Sequence, residues 1–324
     1  MTGFLLYLAG WVIAHTPEAL LRGLSVALGW VMYLGAGRRR HVMLRNLQAV
    51  YPDRPASWRR GVARESCHRM IETGLLALAA PHFSVERVRR MARLDPGATA
   101  FLAEIEKEPR AVVLGSAHLA YWEALTWLPV LTAVPMPEPS TIYRPLRNAA
   151  LNEWIVRTRG RFGVKLLSRK SGIHAALHVL QRRGLVNVLF DQNAGGHGTL
   201  TTFFGRRISM TELPALLVSR TGADLRLMGT RRTAFWRMDI FVRPAPHDGT
   251  TAGILAALNI AFEDLLRADE GICASWLWAH DRWKINELPV ELKKITEKRN
   301  LLAEDARFRA AVGHPGGPPA PAGR

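Results

Sequence analysis

The sequence predicts an α/β protein: a mainly parallel central sheet flanked by helices, behind an N-terminal hydrophobic helical membrane anchor. Three observations predict it. From residue 111 onward, short apolar runs bounded by turn residues alternate with helix-length runs, the pattern of a sheet covered on both faces. Three of these strands end in a polar residue, His118, Arg144 or Asp191, and functional groups in open parallel sheets collect at the carboxyl edge. The first 37 residues are strongly apolar and stop at Arg38-Arg39-Arg40.

In chain order, Gly3–Ala14 is the first apolar run. As a helix it reaches about 18 Å, short of a bilayer core of about 30 Å. Thr16-Pro17-Glu18 reads as a helix start, with Thr16 as N-cap and Pro17 at the first helical position. Residues 17–36 reach a spanning length, though Glu18 and Arg22 lie in the opening turns. The three arginines that follow make a cytoplasmic flank by the positive-inside rule. No positive charge precedes the first run, which argues against a secretory signal peptide. A buried helical hairpin is the competing reading, and whether the anchor spans or dips into a bilayer is open.

Residues 42–94 read as helices, with Asn46-Leu47 and Tyr51-Pro52 marking a helix end and a turn. Arg59 to Ala79 is amphipathic and carries Arg59, Arg60, Arg64 and Arg69. Ala111–Leu114 is a buried strand broken by Gly115-Ser116, and the apolar segment that resumes is stopped by Pro129. Strands then follow at Ser140–Tyr143, Val164–Leu167, Leu185–Phe190, Asp224–Arg231 and Trp236–Arg243, with helices at Asn148–Phe162, Gly172–Arg183, Thr211–Thr221 and Thr251–Arg267. Residues 290–311 read as a charged helix, and the Gly/Pro/Ala-rich end as disordered. The expected organisation is an anchor at 1–37, one folded domain at 38–312 and a tail at 313–324.

Charge narrows the partners. Lys and Arg number 44 against 27 Asp and Glu, a net +17, so the surface seeks anions: nucleic acid, anionic lipid headgroups or an acidic carrier protein. The absence of zinc-finger spacing and of an RNP-like aromatic strand sets nucleic acid aside. Two cysteines, Cys67 and Cys273, give no disulfide framework and suit a reducing compartment. Cys67 adjoins His68, but neighbours on a helix face different ways, so no Cys–His dyad follows.

The chemistry centres on His118 and Glu123, five positions apart. On a helix that spacing separates side chains by roughly 140°, and on a strand it puts them on opposite faces. They meet only if a strand-to-helix turn falls between them, with Glu123 in the first helical turn. A neutral imidazole oriented by a carboxylate can take a proton from a hydroxyl. The plainer alternative is a capping histidine and a solvent-facing glutamate. Arg144 offers a fixed cation for phosphate or carboxylate, and Asp191 a carboxylate at a third strand end. His174 and His178, four apart, lack a third metal ligand of suitable spacing. The loop Gly195-Gly196-His197-Gly198 matches neither phosphate-binding fingerprint. Ser116 lacks a Gly-x-Ser-x-Gly elbow. No metal or organic cofactor is expected.

These residues carry a resemblance. Asn46-Leu47…Tyr51-Pro52, His118-x4-Glu123, Tyr143-Arg144-Pro145, Asp191-Gln192, Phe203-Phe204-Gly205, Pro214 with Thr221-Gly222-Ala223, and Trp278-x-His280-x-Arg282-Trp283-Lys284 occur in the order found in the bacterial lipid A late acyltransferases, the lauroyl/myristoyl acyltransferase family, over roughly residues 4–285. The resemblance implies a glycerolipid acyltransferase-like fold and an inner-membrane enzyme whose site faces the cytoplasm. It implies a donor chain on acyl carrier protein and a lipid A precursor acylated on the hydroxyl of a 3-hydroxyacyl chain. Anionic membrane lipids suit the basic surface. By the same resemblance His118 is the base, Glu123 its partner, and Arg144 and Asp191 line the site; Gln192, Phe203, Phe204 and Gly205 are expected to bind substrate. Leu213 stands where the family usually has Gly before Pro, and Thr202 where Pro often precedes Phe-Phe-Gly. Both departures bear on chain length and acceptor. The rivals are a sister acyltransferase on another membrane glycolipid or phospholipid, and a non-catalytic membrane-bound protein that keeps the fold.

Overall fold

The computed structural model describes residues 2–168, 172–287 and 299–314. Its centre is a seven-stranded sheet built from β1 (Ala92–Leu94), β2 (Val112–Ser116), β3 (Pro139–Tyr143), β4 (Lys165–Ser168), β5 (Leu185–Leu189), β8 (Asp224–Ala234) and β9 (Arg237–Pro244). The order is β1-β9-β8-β2-β5-β3-β4. Every neighbouring pair is parallel except the β8–β9 hairpin. The predicted mainly parallel sheet is therefore present, with one antiparallel hairpin in it.

Successive strand residues feed different cores, as the two-residue repeat demands. Val113, Val186, Val188, Leu225 and Leu227 pack with α9 (Gly172–Gln181), α10 (Leu213–Thr221) and α11 (Thr251–Ala268). Val112, Leu114, Leu185, Met228 and Ile240 pack instead with α6 (Pro96–Lys107) and with Leu125 and Leu128. Burial on both faces explains why β2 and β5 read as largely apolar runs rather than alternating ones, interrupted in β5 by Asn187.

A helical layer covers one end. It comprises α1 (Thr2–His15), α2 (Glu18–Gly35), α3 (Gly37–Val50), α4 (Ala56–Ala79) and α5 (Val85–Met91). Helices α1 and α2 lie against α4 at glycines. A Cβ on Gly10 would stand 2.3 Å from the Leu78 carbonyl oxygen, and one on Gly29 would meet the His68 ring. Their outer faces are apolar and uncovered, with Phe4, Leu20, Val31 and Leu34 each 60–68% exposed. Among the described residues no single helix is long and apolar enough to cross a membrane. The α1–α2 pair passes that test jointly, bent by 117° at its break.

Several expectations need correction. Thr16 does not cap α2: its hydroxyl donates back to the Val12 carbonyl, and α2 begins after Pro17 with no side-chain cap. Asn46-Leu47 lies inside α3 rather than at its end. Pro129 opens α7 (Leu128–Leu131) instead of stopping a helix, since proline suits a first turn that needs no N–H.

Residues 199–210, for which the sequence predicts no element, form a separate hairpin of β6 (Thr199–Phe203) and β7 (Arg206–Met210). Phe204 and Gly205 both take positive φ, +52° and +66°, as a two-residue hairpin turn requires. A buried ionic cluster pins this hairpin. Arg309, on α13 (Leu302–Ala311), donates to Glu263 at 2.9 Å and to the Thr202 carbonyl at 3.0 Å, and pairs with Asp305 at 3.3 Å. Glu263 accepts from Phe204 N, and Asp305 from Thr202 N. Of the predicted helix at 290–311, α13 is the helical part within the described residues. Residues 290–298 and nearly all of the predicted tail lie outside them.

Candidate active site

Strand register sets the site. β2 and β5 are adjacent and parallel, with Ser116 opposite Leu189. His118 and Asp191 each stand two residues beyond those ends, so they emerge level at the carboxyl edge. Phe190 N donates to Ser116 O at 3.1 Å and carries the pairing one step past the strands. β3 flanks β5 on its other side and delivers Arg144 to the same edge.

The two side chains meet. His118 Nδ1 lies 2.7 Å from Asp191 Oδ1, and the His118 backbone N–H donates to Asp191 Oδ2 at 2.9 Å. Trp276, which caps α12 (Glu270–Ser275), donates from Nε1 to the same oxygen at 2.8 Å, and Asp191 is 3% exposed. Burial alone pushes a carboxyl's pKa up. Here the His118 charge, the His118 hydrogen bonds and the Trp276 N–H outweigh it and hold Asp191 well below the usual carboxylate range. An ionised carboxylate can only accept, so Nδ1 carries the proton. In the neutral ring Nε2 is then the free acceptor, with the Gln192 side-chain amide 3.4 Å away. For His118 burial works against the charged ring, but Asp191, with a smaller contribution from Glu123, raises its pKa above the ordinary value.

Glu123 is not the hydrogen-bond partner of His118. A 3₁₀ turn, Trp122–Trp127, does follow β2 and puts Glu123 in its first turn. Its carboxylate instead forms a two-pronged pair with Arg159 of α8 (Ala149–Gly160), Nε to Oε2 at 2.8 Å and Nη2 to Oε1 at 2.7 Å. The His118 ring packs on Trp122 at 5.1 Å, and the Arg159 guanidinium lies 5.0 Å from that same indole. Glu123 thus acts on the imidazole through space, while Asp191 makes the direct bond.

The turn between them is held from outside. Tyr121 takes φ +63°, an unusual conformation for a bulky side chain. Its N–H donates to Thr73 Oγ1, its hydroxyl to buried Glu72, and the hydroxyl accepts from Trp236 N. Glu72 is itself paired with Arg69 and Arg232. The loop beyond Asp191 is clamped too. Arg282, fully buried, donates to the carbonyls of Phe190 and Gln192, and Asn193 N donates to His280 Nε2 at 2.7 Å. Burial pushes Arg282 down to about 10 against the opposing pull of Asp191. Burial also lowers the His280 pKa, which suits a ring nitrogen that accepts. Asn46 closes the clamp by donating to the carbonyls of Trp278 and His280.

His118, Glu123, Arg144 and Gln192 line a cleft of about 380 Å³. It extends from that polar edge along the strands, past Met228, Leu114 and the polar Thr141 and Asn187, to Leu185 and Met136 at their amino end. The length along β5 is about 13 Å. Phe203 and Phe204 do not reach it: both are core side chains, 1% and 2% exposed, with Phe203 stacked between Phe262 and Trp283. Gly205 serves the hairpin turn. Their motif is structural because the phenylalanines hold β6–β7 on the core. Sequence reasoning missed Arg159 and Trp276. Each reaches its carboxylate from a distant segment, 36 and 85 residues away, and no spacing rule signals that.

No curated protein gives a significant match to the chain. A family model described as bacterial lipid A biosynthesis acyltransferase matches residues 1–285. The match takes in the N-terminal helices, the whole sheet, the His118–Asp191 pair and the clamp around Asn193. The chain belongs to the bacterial lipid A biosynthesis acyltransferase family.

Proposed function

We propose that this protein transfers a fatty acyl chain from acyl carrier protein to a hydroxyl of a lipid A precursor, with His118 as general base. The observation that carries the reading is the orientation of His118: Nδ1 is tied to an ionised, buried aspartate, and Nε2 points its lone pair toward the cleft, with the Gln192 amide 3.4 Å away. Nε2 takes the hydroxyl proton, and the oxygen attacks the thioester carbon. Gln192 and Arg144, at the same edge, are suited to hold the oxyanion and the donor's phosphate. As the tetrahedral centre collapses, the C–S bond breaks and the imidazolium returns its proton to the departing thiolate. The step balances without a metal or organic cofactor. The apolar far end of the cleft suits the donor chain, since each buried CH₂ gains about 0.8 kcal/mol.

The exposed apolar faces of α1 and α2 support a membrane anchor within residues 1–37, ahead of the acyltransferase domain; the inner membrane, with the site toward the cytoplasm, is the location proposed from the family. The net charge of +17 suits both an acidic carrier and anionic lipid. The test is incubation of purified protein with acyl carrier protein thioester and a lipid A precursor, followed by mass spectrometry. The expected product is heavier by one acyl group. Acylation of a glycerophospholipid in place of the lipid A precursor would contradict the proposed acceptor.

A further inference from the structure

His118, Trp122 and Glu123 border a second hollow, of about 240 Å³, on the side of the catalytic loop that faces α4. Met70, Gly74, Ala77, Leu119 and Leu277 give it apolar walls, with Arg69, Thr73 and Ser275 as polar groups on its border. Met70, Gly74 and Ala77 fall at helical spacing and so share one face of α4. The same helix packs elsewhere on α1 and α2, whose outer surfaces carry most of the exposed large apolar side chains among the described residues. Two aliphatic substrates must meet at one nitrogen, and two hollows meet at His118.

Gly74 bears directly on this. It lies inside the 24-residue α4, where glycine costs about 1 kcal/mol relative to alanine. Its conformation does not require glycine, and a Cβ there would meet nothing within 4 Å. What sets Gly74 apart is its place on the wall of the hollow: a side chain there would enter the space beside His118 that the glycine leaves open.

We propose that the α4-side hollow binds the hydroxyl-bearing aliphatic chain of the acceptor lipid, while the larger cleft along the sheet holds the donor's acyl chain. This rests on the acyl-transfer reading above. The assignment follows from position. The acceptor's chains lie in the bilayer, and the α4 hollow adjoins the helix that carries the apolar N-terminal pair. The larger cleft lies on the opposite side of His118 and has Arg144, Gln192 and Asn193 at its polar end, where a phosphate-bearing carrier arm fits.

The experiment compares Gly74→Leu with Gly61→Leu in the full-length protein. Gly61 lies on the same helix, also has open space at its Cβ, and does not border the hollow. Both changes raise helix propensity and have room at Cβ, and circular dichroism of each variant checks the fold. Transfer is measured against acceptor and donor concentration, and donor thioester hydrolysis is measured without acceptor. Gly74→Leu is expected to raise the acceptor KM by about tenfold or more, with donor KM and hydrolysis as in the wild type; Gly61→Leu should leave all three unchanged. Equal behaviour of the two variants would overturn the proposal. So would a Gly74→Leu defect confined to donor KM and hydrolysis, which would give the hollow to the carrier arm or donor chain. A wild-type protein that cannot acylate the lipid A precursor would instead remove the acyl-transfer reading on which this rests.

Discussion

His118→Ala is expected to lower acyl transfer by about 10²–10⁴-fold, the range for loss of a positioned general base, while fold and membrane association persist. The aliphatic hydroxyl is a poor nucleophile until its proton is taken, and among the described residues His118 Nε2 is the nitrogen oriented for that at the cleft. Asp191 would then lose its ring partner but keep Trp276 Nε1 and the backbone N–H of residue 118, so the variant stays folded. Circular dichroism alongside the transfer assay checks both halves. Asp191→Ala and His118→Ala should not add, because the two residues act as one unit. A folded His118→Ala protein with near-normal turnover would leave the histidine as a structural cap.

The second large effect is on stability. Arg309→Ala is expected to destabilise the fold by about 3–5 kcal/mol, the cost of leaving buried charge without its partner. Glu263 and Asp305 are both 0% exposed; without the guanidinium Asp305 loses its cation, and Glu263 keeps only Arg267 as a cation, at 3.4 Å. Arg309→Met should restore packing but not charge, and stay well below wild type. Chemical denaturation of the three proteins measures this. Because the cluster holds β6–β7 and none of its side chains lines the cleft, the folded fraction of Arg309→Met should retain acyl-transfer chemistry. A change within about 0.5 kcal/mol would mean that the cluster is solvated and carries little.

Much of the sheet is legible in the sequence because parallel strands buried on both faces leave short, continuous apolar runs between turn residues. Val112–Leu114 is of that kind, and Leu185–Leu189 nearly so, with Asn187 its one polar residue. The β6–β7 hairpin is not legible, since its turn uses Phe204 and Gly205 in place of the usual Asn-Gly signal. β1, three residues long and reached directly from α5, carries no pattern of its own. Three strand-end residues mark the site along the chain, but strand order decides who pairs with whom. Spacing joins His118 to Glu123; the adjacency of β2 and β5 joins it to Asp191 and releases Glu123 to Arg159. Phe203-Phe204-Gly205 lies in the core and at the hairpin turn and does not line the cleft, a placement that its spacing along the chain does not signal.

The most direct test of the His118–Asp191 pair is the pH dependence of kcat/KM in the wild type and in Asp191→Asn. A base works only when unprotonated, so activity rises with pH through the His118 pKa of the free enzyme. Asp191 raises that pKa, which puts the wild-type inflection above the ordinary histidine value of about 6.5. In Asp191→Asn the carboxylate charge is gone and burial, with Arg159 nearby, pulls the other way, leaving only the smaller influence of Glu123 in opposition. The account predicts an inflection displaced to lower pH and a plateau reduced by roughly tenfold or more, as the ring loses its fixed tautomer. An inflection that stays in place, or moves to higher pH, would contradict it.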